Sequence, residues 1–152
     1  MLKKIVSGGQ TGVDRAALDA ARGLRFQTGG WCPRGRRAEG GPIPRRYRLS
    51  ETPSRDYAQR TSWNVRDSDG TLVLNRGRLD GGTLMTVELA RKRHSKPVLI
   101  LDLDRRLDRS RLRAWVARHH ISTLNVAGPR ESKRPGIYRE ARDALLKLLQ
   151  RR

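Results

Sequence analysis

Hydrophobic and polar positions follow two periods along most of this chain. Short β-branched or apolar runs predict strands, and apolar residues spaced three or four apart predict helices. Strands are expected over 2–7, 26–29, 70–74, 97–103 and 121–127. Helices are expected over 12–23, 54–67, 82–93, 109–119 and 137–149. Between them, residues 30–52 are rich in Gly, Pro and Arg and predict a long irregular loop, a feature that is commonly functional or mobile.

Strands that alternate with helices predict a parallel sheet of about five strands with helices on both faces. The 152 residues suffice for one such α/β domain, spanning 1–152. Right-handed crossovers bring every strand-to-helix loop to one edge of the sheet, beyond the carboxyl ends of the strands. We call this edge the rim. Ligands of parallel sheets bind there, near the point where strand order reverses.

Two glycine-rich turns join a strand to a helix at the predicted rim. Glycine lets the backbone approach an anion, and the first N–H groups of a helix favour negative charge. A tight turn with nothing bound is the alternative, and Thr11 with Asp14 or Thr83 alone would then serve as helix caps. The first glycine turn (8–12) and the second (80–83) supply these predicted binding residues: Gly8, Gly9, Gln10, Thr11, Gly12, Gly81, Gly82 and Thr83.

Two further loops add polar groups to the rim. Guanidinium groups on the long loop match phosphate geometry, and an acid among basic residues suits a ring edge beside a phosphate. Solvated arginines and a charged surface turn are the alternatives. The long loop contributes Arg34, Gly35, Arg36 and Arg37, and the end of the last strand with the loop after it, 127–136, contributes Asn125, Gly128, Arg130, Glu131 and Ser132.

The formal charge of +19 favours anionic partners. The basic residues are spread over the whole chain and aromatic residues make up only 5%, so surface bias is favoured over dedicated nucleic-acid binding. A single cysteine, Cys32, excludes an internal disulfide and is expected to be a small buried residue. No signal peptide or membrane-spanning run is present, which predicts a cytoplasmic protein without a membrane partner.

Few residues suggest catalysis. His94, His119 and His120 fall at predicted helix ends or on an arginine-rich face, and no cluster has metal-ligand spacing, so we expect no metal held by the protein. Glu88, one turn inside the helix after the second glycine turn, is the best candidate for a catalytic carboxylate. Its alternative is an ordinary surface pair with Lys92.

Several motifs together resemble the molybdenum cofactor carrier family over essentially the whole chain. They are Ser7–Asp14 (SGGQTGVD), Thr28–Glu39 (TGGWCPRGRRAE), Tyr57–Thr61 (YAQRT), Asn64–Gly70 (NVRDSDG), Gly81–Thr83 (GGT) and Leu124–Ser132 (LNVAGPRES). The resemblance implies a Rossmann-like fold, commonly oligomeric, that holds molybdenum cofactor and passes it on unchanged. It also implies molybdoenzymes or cofactor-synthesis proteins as partners.

Molybdopterin carries a phosphate, a pterin and a molybdenum oxo centre, which suits the predicted rim. The glycine turns would take the phosphate, the loop arginines the remaining charge, and Asp67 or Glu131 the pterin edge. Relatives of the family, once labelled lysine decarboxylases, include LOG-type phosphoribohydrolases of nucleoside 5′-monophosphates, whose second turn reads Pro-Gly-Gly-x-Gly-Thr-x-x-Glu. Here Glu88 matches that pattern but Leu84 and Met85 depart from it, so a carrier is favoured over the hydrolase alternative. A nucleotide-sensing adaptor is the third reading.

Overall fold

A central sheet of five parallel strands organises the chain, whose residues 1–151 are described by a computed structural model. The order across the sheet is β2-β1-β7-β5-β6, and a separate pair, β3 and β4, forms a small second sheet. The strands are β1 (Lys4–Val6), β2 (Gln27–Gly29), β3 (Trp31–Cys32), β4 (Ser50–Glu51), β5 (Gly70–Asn75), β6 (Val98–Asp102) and β7 (Thr123–Ala127). The prediction of a parallel α/β sheet is therefore confirmed.

Five α-helices cover the sheet in two groups. One group packs α1, α4 and α5 together, and α2 packs against α3 in the other. The helices are α1 (Val13–Gly23), α2 (Tyr57–Arg66), α3 (Gly81–Glu88), α4 (Arg109–Arg118) and α5 (Ile137–Leu148). The helix predicted over 82–93 ends as a wider π turn, Leu89–Arg93. Each predicted strand and helix is present within a few residues of its expected bounds.

The last strand, β7, lies in the middle of the sheet, between β1 and β5. If β7 and α5 are counted as the first strand and helix, the order β2-β1-β7-β5-β6 becomes 3-2-1-4-5, the order of a Rossmann sheet. The two chain ends permit this, because Leu2 and Leu149 line one groove at the amino ends of the strands. Strand order then reverses between β7 and β5, and a ligand crevice is expected there.

Small residues bring α1 close to the sheet and to α5. Ala16, Ala17, Ala20 and Ala21 are all buried in the main core. They share it with apolar side chains of every strand in the large sheet except β2, and with α4 and α5. Every residue of β5 is buried because helices cover both faces of the strand. This burial explains its run of apolar residues.

The long loop, residues 30–52, is mostly irregular, as predicted, but short regular elements and a small core hold it in place. It contains β3, a 3₁₀ turn at Arg34–Arg36 and β4. Beneath it lies a second small core of Leu18, Cys32, Ile43 and Tyr47. The Arg36 guanidinium donates to the carbonyls of Ile43, Leu49, Pro44 and Tyr47, which replaces the missing strand hydrogen bonds. Hydrophobic periodicity does not reveal a loop structure that depends on the hydrogen bonds of one arginine side chain.

Gly128 fixes the start of the last rim loop by close approach. A Cβ there would lie 2.3 Å from the Leu74 carbonyl oxygen and 2.5 Å from Val13 Cγ2. We predict that Gly128→Ala destabilises the protein by about 1–3 kcal/mol, because neighbouring backbone must move. Urea unfolding measures this. Gly23→Ala is the matched control, since its nearest neighbour is Leu146 Cδ2 at 4.0 Å. Equal stability of the two variants would contradict the close approach.

Candidate functional site

A half-open pocket lies at the rim where strand order reverses, between the ends of β7 and β5. We call it the rim pocket; its volume is about 200 Å³. The walls come from the starts of α1, α2 and α3 and from the last rim loop. The lining residues are Gln10, Asp14, Tyr57, Arg60, Thr61, Gly81, Gly82, Thr83, Met85, Thr86, Ala127, Gly128, Pro129, Arg130 and Lys133.

The amino end of α3 presents unused donors to the rim pocket. Within residues 1–151, the backbone N–H groups of Gly81, Gly82 and Thr83 donate to no protein acceptor. Asp80 precedes the helix but does not cap it, because its carboxylate pairs with Lys133 at 3.1 Å and with Arg134 at 3.7 Å. A Cβ on Gly82 would meet no atom within 4 Å. The second glycine turn is therefore open to a bound anion.

Three cations and one carboxylate line the rim pocket. Arg60, Arg130 and Lys133 contribute three positive charges, and Asp14 contributes one negative charge when ionised. The Lys133 Nζ lies 2.5 Å from the position that a Cβ on Gly81 would take, directly beside the open amides. Each of these cations already pairs with a carboxylate of the chain: Arg60 with Asp14, Arg130 with Glu39 and Lys133 with Asp80.

Side chains of the chain itself accept most N–H groups of the first glycine turn: Gly9 donates to Ser7 Oγ and Thr11 to Gln10 Oε1. The Gln10 N–H donates to Asp14 Oδ2 at 3.2 Å, and the Gly8 N–H also acts on this carboxyl group. Burial raises the pKa of Asp14, while Arg60 and these N–H groups act in the opposite direction. The expectation that Thr11 caps α1 is wrong, because Gly12 precedes the helix and Thr11 Oγ1 donates to Glu39.

Arg60 spans the floor of the rim pocket. Its Nη1 lies 3.3 Å from Asp14 Oδ2, and its guanidinium covers Gly8 so closely that a Cβ there would clash. The ring of Tyr57 is 5.3 Å from this guanidinium and 4.6 Å from that of Arg37. The side chain of Arg60 is only 13% exposed, and its Nε lacks a hydrogen-bond partner among the described residues. Arg60 therefore offers an unused donor in a nearly dry site.

Glu39 joins the long loop to the first glycine turn and the last rim loop. Its carboxylate accepts from Thr11 Oγ1, from the Ser132 N–H at 3.1 Å and from Ser132 Oγ at 2.5 Å. Arg130 Nε adds an ion pair at 3.3 Å. Partial burial opposes ionisation, but the Ser132 and Thr11 bonds outweigh it and hold the pKa of Glu39 below its ordinary value.

The structure brings one part of the predicted site to the rim pocket. Residues from three separate loops meet there, as the parallel topology requires. The predicted site residues that line it are Gln10, Gly81, Gly82, Thr83, Gly128 and Arg130.

The other predicted site residues do not line the rim pocket, although Gly8 and Asn125 line a small cavity that adjoins it. Gly9 packs against Ile43 and Leu49, and Gly12 against the Pro129 carbonyl. Glu131 accepts from the N–H groups of Gly136 and Tyr138 and so caps α5. The predicted site residues that do not line the rim pocket are Gly8, Gly9, Thr11, Gly12, Arg34, Gly35, Arg36, Arg37, Asp67, Asn125, Glu131 and Ser132.

Asp67 lies away from the rim pocket, whereas Asn125 lines a small cavity that shares Asp14 and Arg60 with it. Asp67 ends α2 and is bound to Arg66 and to the Trp31 indole N–H. Seven residues of helix, about 10 Å, separate it from Arg60 at the pocket end. Asn125 is buried inside β7 and donates to Thr71 Oγ1 at 3.3 Å.

The predicted site residues did not include the start of α2 or Lys133, both of which line the rim pocket. Tyr57, Arg60 and Thr61 share a face by their spacing and return to the rim because α2 runs antiparallel to the strands. The sequence contains this information, because it predicts both α2 and the strand that follows it. The lining residues outside the predicted set are Asp14, Tyr57, Arg60, Thr61, Met85, Thr86, Ala127, Pro129 and Lys133.

The remaining chemistry-bearing residues lie elsewhere. Glu88 is half exposed, pairs with Lys92 at 3.5 Å and does not line the rim pocket. In the part of the chain described, no group of three or more His, Cys, Asp or Glu side chains is placed to hold a metal ion. No helix within residues 1–151 combines the length and apolar character needed to cross a membrane. Cys32 is buried, as predicted, and burial raises the pKa of its thiol.

These features define a Rossmann-like α/β domain with a basic crevice at the reversal of strand order. Its sequence matches the model of the circularly permutated YpsA SLOG family over residues 5–149. The chain belongs to this family, whose description names a circular permutation.

A solved structure resembles the whole chain. It is a protein of Syntrophus aciditrophicus SB named Putative molybdenum carrier protein, with 46% sequence identity and a TM-score of 0.91. The match covers 99% of this chain and 96% of that one. No curated protein matches the chain at a significant level. The family resemblance inferred from the motifs is confirmed.

Glu39 gives the rim a dependence on pH. Because folding lowers its pKa, Glu39 stabilises the fold above its ordinary value of 4.5, and this contribution is lost as pH falls through the lower folded value. We predict that Glu39→Gln lowers the free energy of unfolding by about 1–3 kcal/mol at pH 7 and by less at pH 3. Denaturant unfolding at the two pH values measures the difference. Glu88→Gln, on an exposed helix face, is the control and should change stability little at either pH.

Proposed function

We propose that this protein binds a phosphorylated, anionic small molecule in the rim pocket, with the phosphate on the amino end of α3. The single observation that carries the proposal is the set of unused N–H groups at Gly81, Gly82 and Thr83. Lys133 lies beside them, and Arg60 lines the same pocket. A preorganised helix end with flanking cations is suited to a phosphate group.

We propose molybdenum cofactor as the ligand. The name of the Syntrophus aciditrophicus protein supports this choice, as does the likeness over the whole chain. In the rim pocket the phosphate would bind at the start of α3, and the pterin would lie near the ring of Tyr57. The Arg37 guanidinium lies 4.6 Å from the centre of that ring. Gln10 and Asp14 are the polar side chains available to a pterin edge. The pocket is half open, so the rest of the molecule would extend toward solvent.

The proposed role is storage or delivery of the cofactor without chemical change. Molybdoenzymes or cofactor-synthesis proteins would be the partners, and the protein would act in the cytoplasm as a homo-oligomer. The phosphoribohydrolase alternative depends on Glu88, and no contact brings that carboxylate into the rim pocket. Mass spectrometry of the protein purified from its native cells tests the ligand directly. A co-purifying pterin supports the proposal, and a co-purifying nucleoside monophosphate would replace it.

Substitutions at Gly82 can distinguish an effect on ligand binding from an effect on folding. We predict that Gly82→Leu weakens binding of inorganic phosphate at least tenfold, because the side chain enters the open space at the helix end. Stability should hold or rise by up to about 1 kcal/mol, since leucine favours helix over glycine. Gly82→Ala is the control: its Cβ meets no atom within 4 Å, so phosphate binding should persist. Unchanged binding by Gly82→Leu in a ³¹P NMR titration would place the phosphate elsewhere.

Lys133 tests the charge at the same end of the pocket. We predict that Lys133→Met weakens phosphate binding about five- to fiftyfold, because an ammonium group beside the α3 amides is lost. Lys147→Met, on the exposed face of α5, changes the net charge equally and should leave binding within about twofold. If both variants lose the same affinity, general charge attraction rather than the rim pocket accounts for binding.

A further inference from the structure

Four donor groups converge on the Glu39 carboxylate. Two are side-chain hydroxyls, of Thr11 and Ser132, one is the Ser132 backbone N–H, and one is Arg130 Nε. They belong to the first glycine turn and the last rim loop, while Glu39 comes from the long loop. Hydroxyls, a backbone amide and a guanidinium around one point form a donor set suited to any oxyanion, phosphate included. Glu39 fills that position with an internal carboxylate.

This donor set adjoins the rim pocket. Arg130 both lines the pocket and pairs with Glu39. Gln10 also lines it, and its Oε1 accepts the Glu39 N–H at 3.0 Å. The Glu39 carboxylate therefore lies directly behind the pocket lining, in contact with Arg130, where a ligand can reach and displace it.

The chain that carries Glu39 is lightly held on one side. Gly40 and Gly41, which follow it, are exposed, have φ of +75° and +118°, and leave no atom within 4 Å of where a Cβ would lie. Glycine tolerates these dihedral angles without strain and has no side chain to pack. The turn at 39–41 can therefore move while Ala38 stays against the small core beneath the long loop.

We propose that Glu39 occupies a second oxyanion site, formed by Thr11, Arg130 and Ser132, and that a ligand with two separated anionic groups displaces it. The inference deepens the proposed function and rests on it: the first anionic group lies on α3 and the second replaces the Glu39 carboxylate. The ligand class is thereby narrowed from phosphate monoesters to small molecules with a second negative group beyond the phosphate.

The test counts bound phosphate by ³¹P NMR titration. Wild-type protein should bind one inorganic phosphate, and Glu39→Ala should bind two, because removal of the carboxylate leaves the donors of Thr11, Arg130 and Ser132 unpaired. Glu51→Ala is the matched control; this exposed carboxylate of the same loop accepts the Gly35 N–H, and its removal should leave one site. One phosphate in both wild type and Glu39→Ala would overturn the inference while leaving the α3 site intact.

Glu39→Gln provides the measurement if Glu39→Ala fails to fold. The amide keeps the shape of the side chain but removes the charge that competes for these donors, so pyrophosphate, a probe with two anionic groups, should bind about two- to tenfold more tightly. Stability and affinity would then move in opposite directions. Lower stability with unchanged or weaker binding would make Glu39 a purely structural link and would overturn the inference. No phosphate on wild type and one on Glu39→Ala would reject the α3 site but support the second one, and none on either would reject both.

Discussion

The buried carboxylate of Asp14 decides which end of the rim is open to a ligand. It accepts the Gln10 N–H and lies beside Arg60, so donors of the first glycine turn already have an acceptor within the chain. An N–H group that already donates to a carboxylate in a nearly dry site is a poor donor to a second anion. Asp80 stands just before α3, but its carboxylate pairs with Lys133 and Arg134 instead. The same residue type thus closes one turn and leaves the other free.

The permuted order of the strands explains why the open end lies beside β7. Counted from β7, the sheet has Rossmann order, and its reversal point falls between β7 and β5. The helix after β7 packs with α1, and the helix after β5 packs with α2, so the two depart toward opposite groups. A crevice opens where neighbouring connections diverge in this way. The start of the chain at β1 has no special place in that geometry, although its glycine turn is the most prominent sequence motif.

The sequence predicts the elements well because their periods are set by burial. Alternation of apolar runs and amphipathic segments follows from a sheet covered on both faces, and every predicted strand and helix is present. The candidate site is predicted less completely, since glycine content does not tell which N–H groups are free. That depends on carboxylates such as Asp14 and Glu131, which act as internal acceptors at turns and helix ends. Arg60 was not predicted because its role depends on the start of α2 lying at the rim. The role of Arg36 was not predicted because its four carbonyl partners lie in a segment without hydrophobic periodicity.

Charge is arranged at two scales in this molecule. The formal net charge of +19 attracts small anions from a distance, whatever their identity. At the rim, however, Asp14 and Glu39 already pair with Arg60 and Arg130, so an arriving anion must compete with carboxylates of the chain itself. Competition of this kind lowers affinity by the free energy of the internal pairs while leaving encounter rates high. Under the proposed function, these internal pairs would re-form as a ligand leaves, which suits delivery better than permanent storage.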